Sequence, residues 1–423
     1  MGRNVLVVGG GGREHALGWR LATSPSVDRV VSAPGNPGLA QLGPVHAIDP
    51  TDPAAVAELA GRERIDLVVV GPEAPLVAGV VDELQGRDIA AFGPTAAGAR
   101  IEGSKAFAKD VMTAAGAPTG GAVATGVRAE AFAALERFGA PYVVKADGLA
   151  GGKGVRICTE LSEAREAVDD ALVRRVFGAA GAEVVIEEFL DGPERSVFGV
   201  CDGEEVVLLA PAQDYKRALD GDRGLNTGGM GAFTPVPGFA LEDVTYLEDL
   251  VFRPVLRELA ARGAPYRGLL YAGLVETAAG PKLLEFNARF GDPETQAILP
   301  RLASDLGELL WASATGSVRD AELAWHDTAA VTVVLASGGY PGSYPTGLPI
   351  SGVPAANSHP DVEVFHAGTA IDADGALVTA GGRVLNVTAT GPDVATARSR
   401  AYAAADEITW DGVQRRGDIA RLE

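Results

Sequence analysis

Cysteine is nearly absent from this 423-residue chain: Cys158 and Cys201 are the whole complement, and both sit inside apolar, strand-like runs. Two such thiols make neither a disulfide framework nor a thiolate metal cluster, and they read as small buried hydrophobes. Histidine is almost as scarce. His46, His326, His359 and His366 are scattered and His15 begins a helix, so no cluster points to a histidine-bound metal or an acid–base pair. Positive charge is in deficit as well, with 36 Lys and Arg against 56 Asp and Glu and a net charge of −20. A long nucleic-acid backbone is repelled on average, whereas a local basic pocket for a small phosphate remains open. Long hydrophobic runs are missing too. The apolar run in "MGRNVLVVGGGG" breaks into glycine after a few residues, too short for a signal-peptide core or a membrane span, and "MGRNVL" lacks the Ser/Thr of a myristoylation signal. The expectation is a soluble cytoplasmic protein, with no nucleic-acid or membrane partner.

What is present is a core-forming composition, 47% hydrophobic, enough for two to four domains at roughly 150 residues each. "VLVVGG", "RVVSAPG", "IDLVVVGPE" and "IAAFGPT" are short apolar runs alternating with helical stretches, the pattern of a parallel sheet covered on both faces. The N-terminal region is therefore expected to be a Rossmann-like open sheet. The Gly/Ala/Pro/Thr stretch "AAGAPTGGAVATGV" breaks the periodicity. Beyond it the pattern predicts a small α+β unit, then a larger one with strands near 195–211, a long Gly-rich loop, a helix over about 241–262 and paired strands "GLLYAGLVET" and "PKLLEFNARF". A β-rich region closed by a helix ends the chain.

"KADGLAGGKGV", residues 145–155, imitates a phosphate-binding P-loop but fails at two positions, Asp147 where glycine belongs and Gly154 where a hydroxyl should follow Lys153. The alternation after it is that of a strand rather than a helix, so the stretch predicts strand, flexible glycine turn, strand. The glycines of "VVGGGGREHALGW" likewise miss the dinucleotide fingerprint. What they leave is a helix start whose free N–H groups suit a phosphate, with Arg13 beside it, so a small phosphorylated molecule is expected there. "SAPGNPG" and "VVGPEAPL" lie at the carboxyl ends of the next strands, where ligands of such sheets collect, or they are ordinary Pro/Gly turns.

In "KLLEFNARFGDPETQ", Glu285 and Asn287 stand two apart on a strand and leave the same face. Such oxygen ligands suit Mg²⁺ held incompletely, with positions left for a nucleotide triphosphate. Lys145 would reach its phosphates from the strand and Lys153 from the flap. Main-chain groups of Glu188, Phe189 and Leu190 would pair with the adenine edge, and Glu194 would accept the ribose hydroxyls. Arg383 either lines the site or serves a hairpin.

The order "GSKAF", "VVKADGLAGGKGV", "VIEEFLDGPE", "QDYKR", "NTGGMGAFTP", "LLYAGLV", "EFNARFGDPETQ" resembles the ATP-grasp ligases. With "VVGGGGREHALGW", "VVGPEAPLVAGVVD", "GGYPG" and "VFHAGT" it is similar, over essentially the whole chain, to the glycinamide ribonucleotide synthetase family of purine biosynthesis. It departs from the usual pattern at Gly10, at Tyr215 and in "DRGLNTGG". The resemblance implies an N-terminal Rossmann-like domain over 1–104, an ATP-grasp lid over 105–192, a larger ATP-grasp part over 193–322 and a small β-rich C-terminal domain over 323–423. It implies ATP-dependent joining of glycine to 5-phosphoribosylamine through a glycyl phosphate, the alternative being another ATP-grasp carboxylate–amine ligase of purine metabolism. ATP and Mg²⁺ or Mn²⁺ are the implied cofactors and the state a monomer. The implied catalytic residues are Lys145, Lys153, Arg289 and Asp214. ATP falls to Lys105, Lys145, Gly148, Gly151, Gly152, Lys153, Gly154, Glu187, Glu188, Phe189, Leu190 and Glu194, and the metal to Glu285 and Asn287. The other substrates fall to Gly11, Gly12, Arg13, Glu14, Pro34, Gly35, Asn36, Gly71, Pro72, Glu73, Asp214, Arg289, Gly291 and Asp292, with Asp214 on the glycine ammonium and Arg289 on its carboxylate.

Overall fold

The computed structural model describes residues 2–149, 154–319 and 321–422. Val5 to Val8 are fully buried, and this is why the first strand, Arg3–Gly9, reads as continuous apolar sequence: both faces of its sheet are covered. That sheet is parallel, in the order Val27–Pro34, Arg3–Gly9, Leu67–Val70, Ala90–Phe92, and all four strands are those the sequence predicts. Parallel strands bring their carboxyl ends to one edge, and so Gly9–Gly11, Pro34–Asn36 and Gly71–Glu73 are neighbours.

Two antiparallel sheets follow. The first orders Ala122–Thr125, Val184–Glu187, Tyr142–Ala146 and Val155–Cys158. On Tyr142–Ala146 the period of two sends Val144 into the core beneath the helices and turns Val143 and Lys145 toward a large cleft. The second orders Val206–Leu208, Glu194–Asp202, Arg267–Thr277 and Gly280–Asn287. It meets the N-terminal sheet at Gly268, where φ is +113° and an added Cβ would stand 2.8 Å from the Gly93 backbone, a contact only glycine permits.

Two expectations about local structure change. The long helix over 241–262 is instead Leu241–Val244, a π turn at Glu248–Phe252 and the α-helix Arg253–Ala261. Pro254 stands in the first turn of that last helix, where its missing N–H costs nothing but a continuous α-ladder through it would lose a bond. The Gly-rich loop contains a hairpin, Arg217–Leu219 with Arg223–Asn226.

A five-stranded antiparallel sheet runs Gln213–Asp214, Gly231–Thr234, Ala329–Ala336, Arg383–Gly391, Val362–His366. It crosses the border at 322/323 expected from sequence, because two short strands from the middle of the chain extend the C-terminal sheet. Asp214 therefore sits on that sheet's edge. Among the described residues no helix is long and apolar enough to cross a membrane.

Candidate active site

The sheets enclose a cleft with a cavity of about 1580 Å³. At one end the helix Lys105–Ala114 presents Lys105 and Lys109, four apart and hence on one face. Lys145 Nζ lies 2.9 Å and Lys109 Nζ 3.3 Å from the same oxygen of Glu187. The other Glu187 oxygen, Oε1, is buried with no hydrogen-bond partner among the described residues. An orphaned buried acceptor of this kind costs free energy unless a ligand donates to it, and the amino group of a nucleobase is a donor of the required sort. Ile101, Met112, Val143 and Leu190 supply apolar walls alongside. These residues fit a nucleotide: flat apolar surface, one edge acceptor, and lysines beyond it for phosphate.

Lys105 donates to the carbonyl of Gly148 at 3.2 Å, while Asp147 accepts from Ser104 Oγ and from the Ala106 N–H at 3.0 and 2.7 Å. The glycine turn is thus anchored at its first residues; Gly148 itself stays outside the cavity wall, Gly154 lines it, and Gly151, Gly152 and Lys153 lie outside the described residues. The Glu188 N–H donates to the Gly121 carbonyl at 2.8 Å, which leaves its carbonyl, with the main-chain groups of Phe189 and Leu190, as the candidates for the adenine edge. Glu194 lines the cavity, but its Oε2 holds Lys216 Nζ at 2.5 Å.

Glu285 and Asn287 face the cleft from the strand Gly280–Asn287. Burial raises the Glu285 carboxyl, yet Lys216, Lys145, Lys105 and Arg289 together outweigh it and hold the group below the usual carboxylate range. Glu285 has no ion-pair or hydrogen-bond partner for its carboxylate among the described residues. An ionised carboxylate with unengaged oxygens beside an amide oxygen is a donor set that fits a hard divalent cation. No group of three His, Cys, Asp or Glu side chains at ligating distance occurs among the described residues, so the protein would leave most positions on such an ion to phosphate and water.

Next along the chain, Arg289 pairs with Glu102 at 2.8 Å and Glu73 at 3.4 Å, and reaches Asn287 Oδ1 at 3.5 Å. Burial would lower the guanidinium, but Glu102 and Glu73 raise it further above its ordinary value. Asp214 is 3.9 Å from Lys216. Its carboxyl is pushed up to about 7 by burial, against the pull of Lys216 and with the help of Glu294 and Glu194. Tyr271 donates to Glu294 at 2.7 Å and closes this floor.

The helix start at Gly12 differs from expectation. Gly11 N–H donates to Glu14 Oε2 at 2.6 Å and Arg13 N–H to Asp292 Oδ2 at 3.4 Å, so two of the N–H groups foreseen for phosphate already hold carboxylates. The Arg13 guanidinium is engaged as well, by Glu14 at 2.5 Å and the Phe290 carbonyl at 3.0 Å. Burial raises the Asp292 carboxyl, while Arg383 and Arg13 overbalance it and keep it ionised at this helix end. Of the residues assigned to the other substrates, Arg13, Pro72, Glu73, Asp214, Arg289 and Asp292 line the cavity. Gly11, Gly12, Glu14, Pro34, Gly35, Asn36, Gly71 and Gly291 do not. Asn36 is consumed structurally, its amide donating to the carbonyls of Gly10 and His366 at 3.0 and 2.8 Å and its oxygen accepting from Gly38 and Leu39.

Lys109, Glu102, Lys216 and Glu294 line the cleft without having been singled out from sequence. A signal existed for Lys109, which repeats Lys105 at helical spacing, and for Lys216 and Glu294, which stand in "QDYKR" and "EFNARFGDPETQ"; for Glu102 none did. Arg383 resolves in favour of the site, lining the cavity and donating to the Gly228 and Asp292 carbonyls at 2.6 Å each.

With this geometry in view, the sequence matches the phosphoribosylglycinamide synthetase N domain over residues 3–102, the ATP-grasp domain over 103–295 and the C domain over 330–422. The chain belongs to the phosphoribosylglycinamide synthetase family. It is 54% identical over 419 residues, 98% of each chain, to a phosphoribosylamine–glycine ligase of Streptomyces coelicolor. A crystal structure of phosphoribosylamine–glycine ligase from Thermotoga maritima is similar with a TM-score of 0.85 at 35% identity, covering 98% of this chain and 100% of that one. A biotin carboxylase domain from Hydrogenobacter thermophilus, in complex with MgADP and bicarbonate, shares the fold with a TM-score of 0.75 at 17% identity, over 98% of this chain and 92% of that one. The ATP-grasp domain makes the chain an ATP-dependent ligase.

Proposed function

We propose that the cleft joins glycine to 5-phosphoribosylamine through a glycyl phosphate. The chain is an ATP-dependent ligase of purine biosynthesis acting on these small molecules. What carries the proposed route is one cavity holding the lysine-lined nucleotide end and, next to it, Glu285, Asn287, Arg289 and Asp214. Glu285 and Asn287 would hold Mg²⁺ or Mn²⁺, and the ion would neutralise phosphate charge when bound. Lys145 and Lys105 would balance phosphate charge as the γ-phosphoryl group moves. Arg289 orients the glycine carboxylate, and Asp214 holds its ammonium. A carboxylate oxygen of glycine attacks the γ-phosphorus and ADP leaves. The amine of phosphoribosylamine then attacks the carbonyl carbon, the C–O bond breaks, and phosphate departs with that oxygen and with the proton the nitrogen loses. No protein nucleophile is needed, and catalysis is positioning with charge neutralisation. The glycine turn that begins at Gly148 would serve as the cover keeping water from the acyl phosphate.

The test is isotopic. Glycine labelled with ¹⁸O in its carboxylate should deliver one labelled oxygen to inorganic phosphate for every amide formed. Phosphate free of label would rule out the acyl phosphate, and ADP release dependent on another acid rather than glycine would rule out glycine as the substrate.

Asp214 carries a pH signature. Its folded value near 7 lies above its ordinary 3.8, so the folded protein binds this proton more tightly and loses stability as pH rises from the lower value to the upper. Glycine capture has the opposite sign, since only the carboxylate pairs with an ammonium. Calorimetric glycine affinity in the presence of a non-hydrolysable ATP analogue should rise about tenfold per unit below pH 7 and level off above it. Asp214→Asn should bind weakly with no such slope. A flat wild-type profile between about pH 5.5 and pH 8 would remove Asp214 from glycine.

A further inference from the structure

Among the described residues Arg416 is the largest fully buried side chain, 1% exposed. A buried guanidinium must be paired, and this one is. Its Nε and Nη2 donate to the two oxygens of Asp418, each at 2.7 Å, and its Nη1 donates to the Arg217 carbonyl at 3.1 Å and to Asp222 at 3.2 Å. The guanidinium also lies over the ring of Tyr215, 4.9 Å from its centroid. The Tyr215 hydroxyl accepts the N–H of Ala420 at 2.9 Å. Asp418 accepts from the Gly221 N–H at 2.8 Å, Asp220 accepts from the Gly417 N–H at 2.7 Å, and Ile419 packs fully buried against Gly231.

These contacts converge on one short stretch. Tyr215 lies between Asp214 and Lys216 in extended chain, where successive side chains leave on opposite sides. Asp214 and Lys216 turn to the proposed glycine end of the cleft and Tyr215 turns to Arg416 and Ala420. On the Asp214 side the strand is only two residues long, Gln213–Asp214, and it is an edge strand, paired to Gly231–Thr234 alone within its sheet. Lys216 lies beyond that strand, tied by its carbonyl to Thr227 at 2.7 Å. The pairing runs one residue further, the Tyr215 N–H donating to the Gly231 carbonyl at 3.0 Å and its carbonyl accepting from the Met230 N–H at 2.8 Å, so the ladder fixes the backbone while the segment 416–420 fixes the Tyr215 side chain from behind.

We propose that the segment Arg416–Ala420 is a positioning element for Asp214 and Lys216, gripping them through Tyr215 and the hairpin at 217–226, so that glycine capture depends on a segment far from the cleft in sequence. This rests on the glycine role of Asp214 given above. Arg416 and Tyr215 touch no reacting atom in this proposal; they act through the two residues that do.

The experiment compares Tyr215→Phe, Arg416→Lys and Asp214→Asn in steady-state kinetics, with melting temperatures alongside. Tyr215→Phe removes one hydroxyl and keeps the ring, leaving the Ala420 N–H unpaired; Arg416→Lys keeps the charge and removes the fork. Both are expected to raise the KM for glycine about five- to tenfold, the equivalent of one lost hydrogen bond, with the KM for ATP changed by less than about twofold. The pH midpoint of glycine binding should fall as Asp214 becomes better solvated. A raised glycine KM in Asp214→Asn with unchanged glycine KM in the other two would overturn the positioning role and leave the glycine site standing. An unchanged glycine KM in Asp214→Asn would overturn both. Equal weakening of ATP and glycine together with a lower melting temperature would reduce the segment to a structural brace.

Discussion

Glu285→Gln is expected to abolish turnover while leaving phosphoribosylamine binding nearly intact. The carboxylate faces Lys216, Lys145, Lys105 and Arg289, and the sum of those cations keeps it ionised despite burial. Glutamine preserves the shape and the oxygen but removes the charge that would hold a divalent cation against four positive side chains. ATP, itself a polyanion, is still attracted to the lysines, so the loss should fall on kcat. We expect a fall of at least about a thousandfold, roughly 4 kcal/mol of transition-state stabilisation. ADP release measures it, and phosphoribosylamine binding with an unchanged melting temperature shows that the fold survives. Glu285→Asp should recover part of the rate. Turnover near wild type in Glu285→Gln would move the metal site elsewhere, whereas joint loss of turnover and phosphoribosylamine binding would indicate a folding defect.

Arg289→Met should damage stability and activity together, and the two can be separated. Glu102 is buried, with its second oxygen held by the Ala288 N–H at 2.7 Å, and Arg289 is its ion-pair partner. Burial raises the Glu102 carboxyl above its ordinary range even with that arginine present. Removing the partner leaves an uncompensated buried charge, a loss of about 3–5 kcal/mol. The sign with pH follows. Glu102 would rise further, a raised carboxyl destabilises the fold above its unfolded pKa, and the penalty shrinks in acid as the proton binds. Melting temperatures of Arg289→Met should therefore lie several degrees below wild type at neutral pH and close on it in mild acid. Adding Glu102→Gln should restore much of the stability but none of the glycine-dependent ADP release. Activity returning along with stability would make Arg289 a structural residue only.

The individual elements were largely legible because they depend on local period. Continuous apolar runs marked the parallel sheet, period two marked the strands on either side of the glycine turn, and the spacing of Glu285 and Asn287 put both on one face. The mismatches in "KADGLAGGKGV" ruled out a P-loop, and the structure has strands before and after that turn. The helix over 241–262 misled because amphipathic spacing continues through a π turn that periodicity alone does not resolve.

By itself, then, the sequence determined the element types, the family and the facing of each side chain within its own strand or helix, since these follow from repeats of two and 3.6 residues along one element. Tertiary structure decided which charges meet. Asp292 and Glu14 take the helix start that seemed free for phosphate, two middle strands join the C-terminal sheet, and Tyr215 finds its hydrogen-bond partner 205 residues away at Ala420. No local repeat encodes such contacts. They arise where packed elements leave buried polar groups that must be paired, and the pairing exists only once the chain has folded.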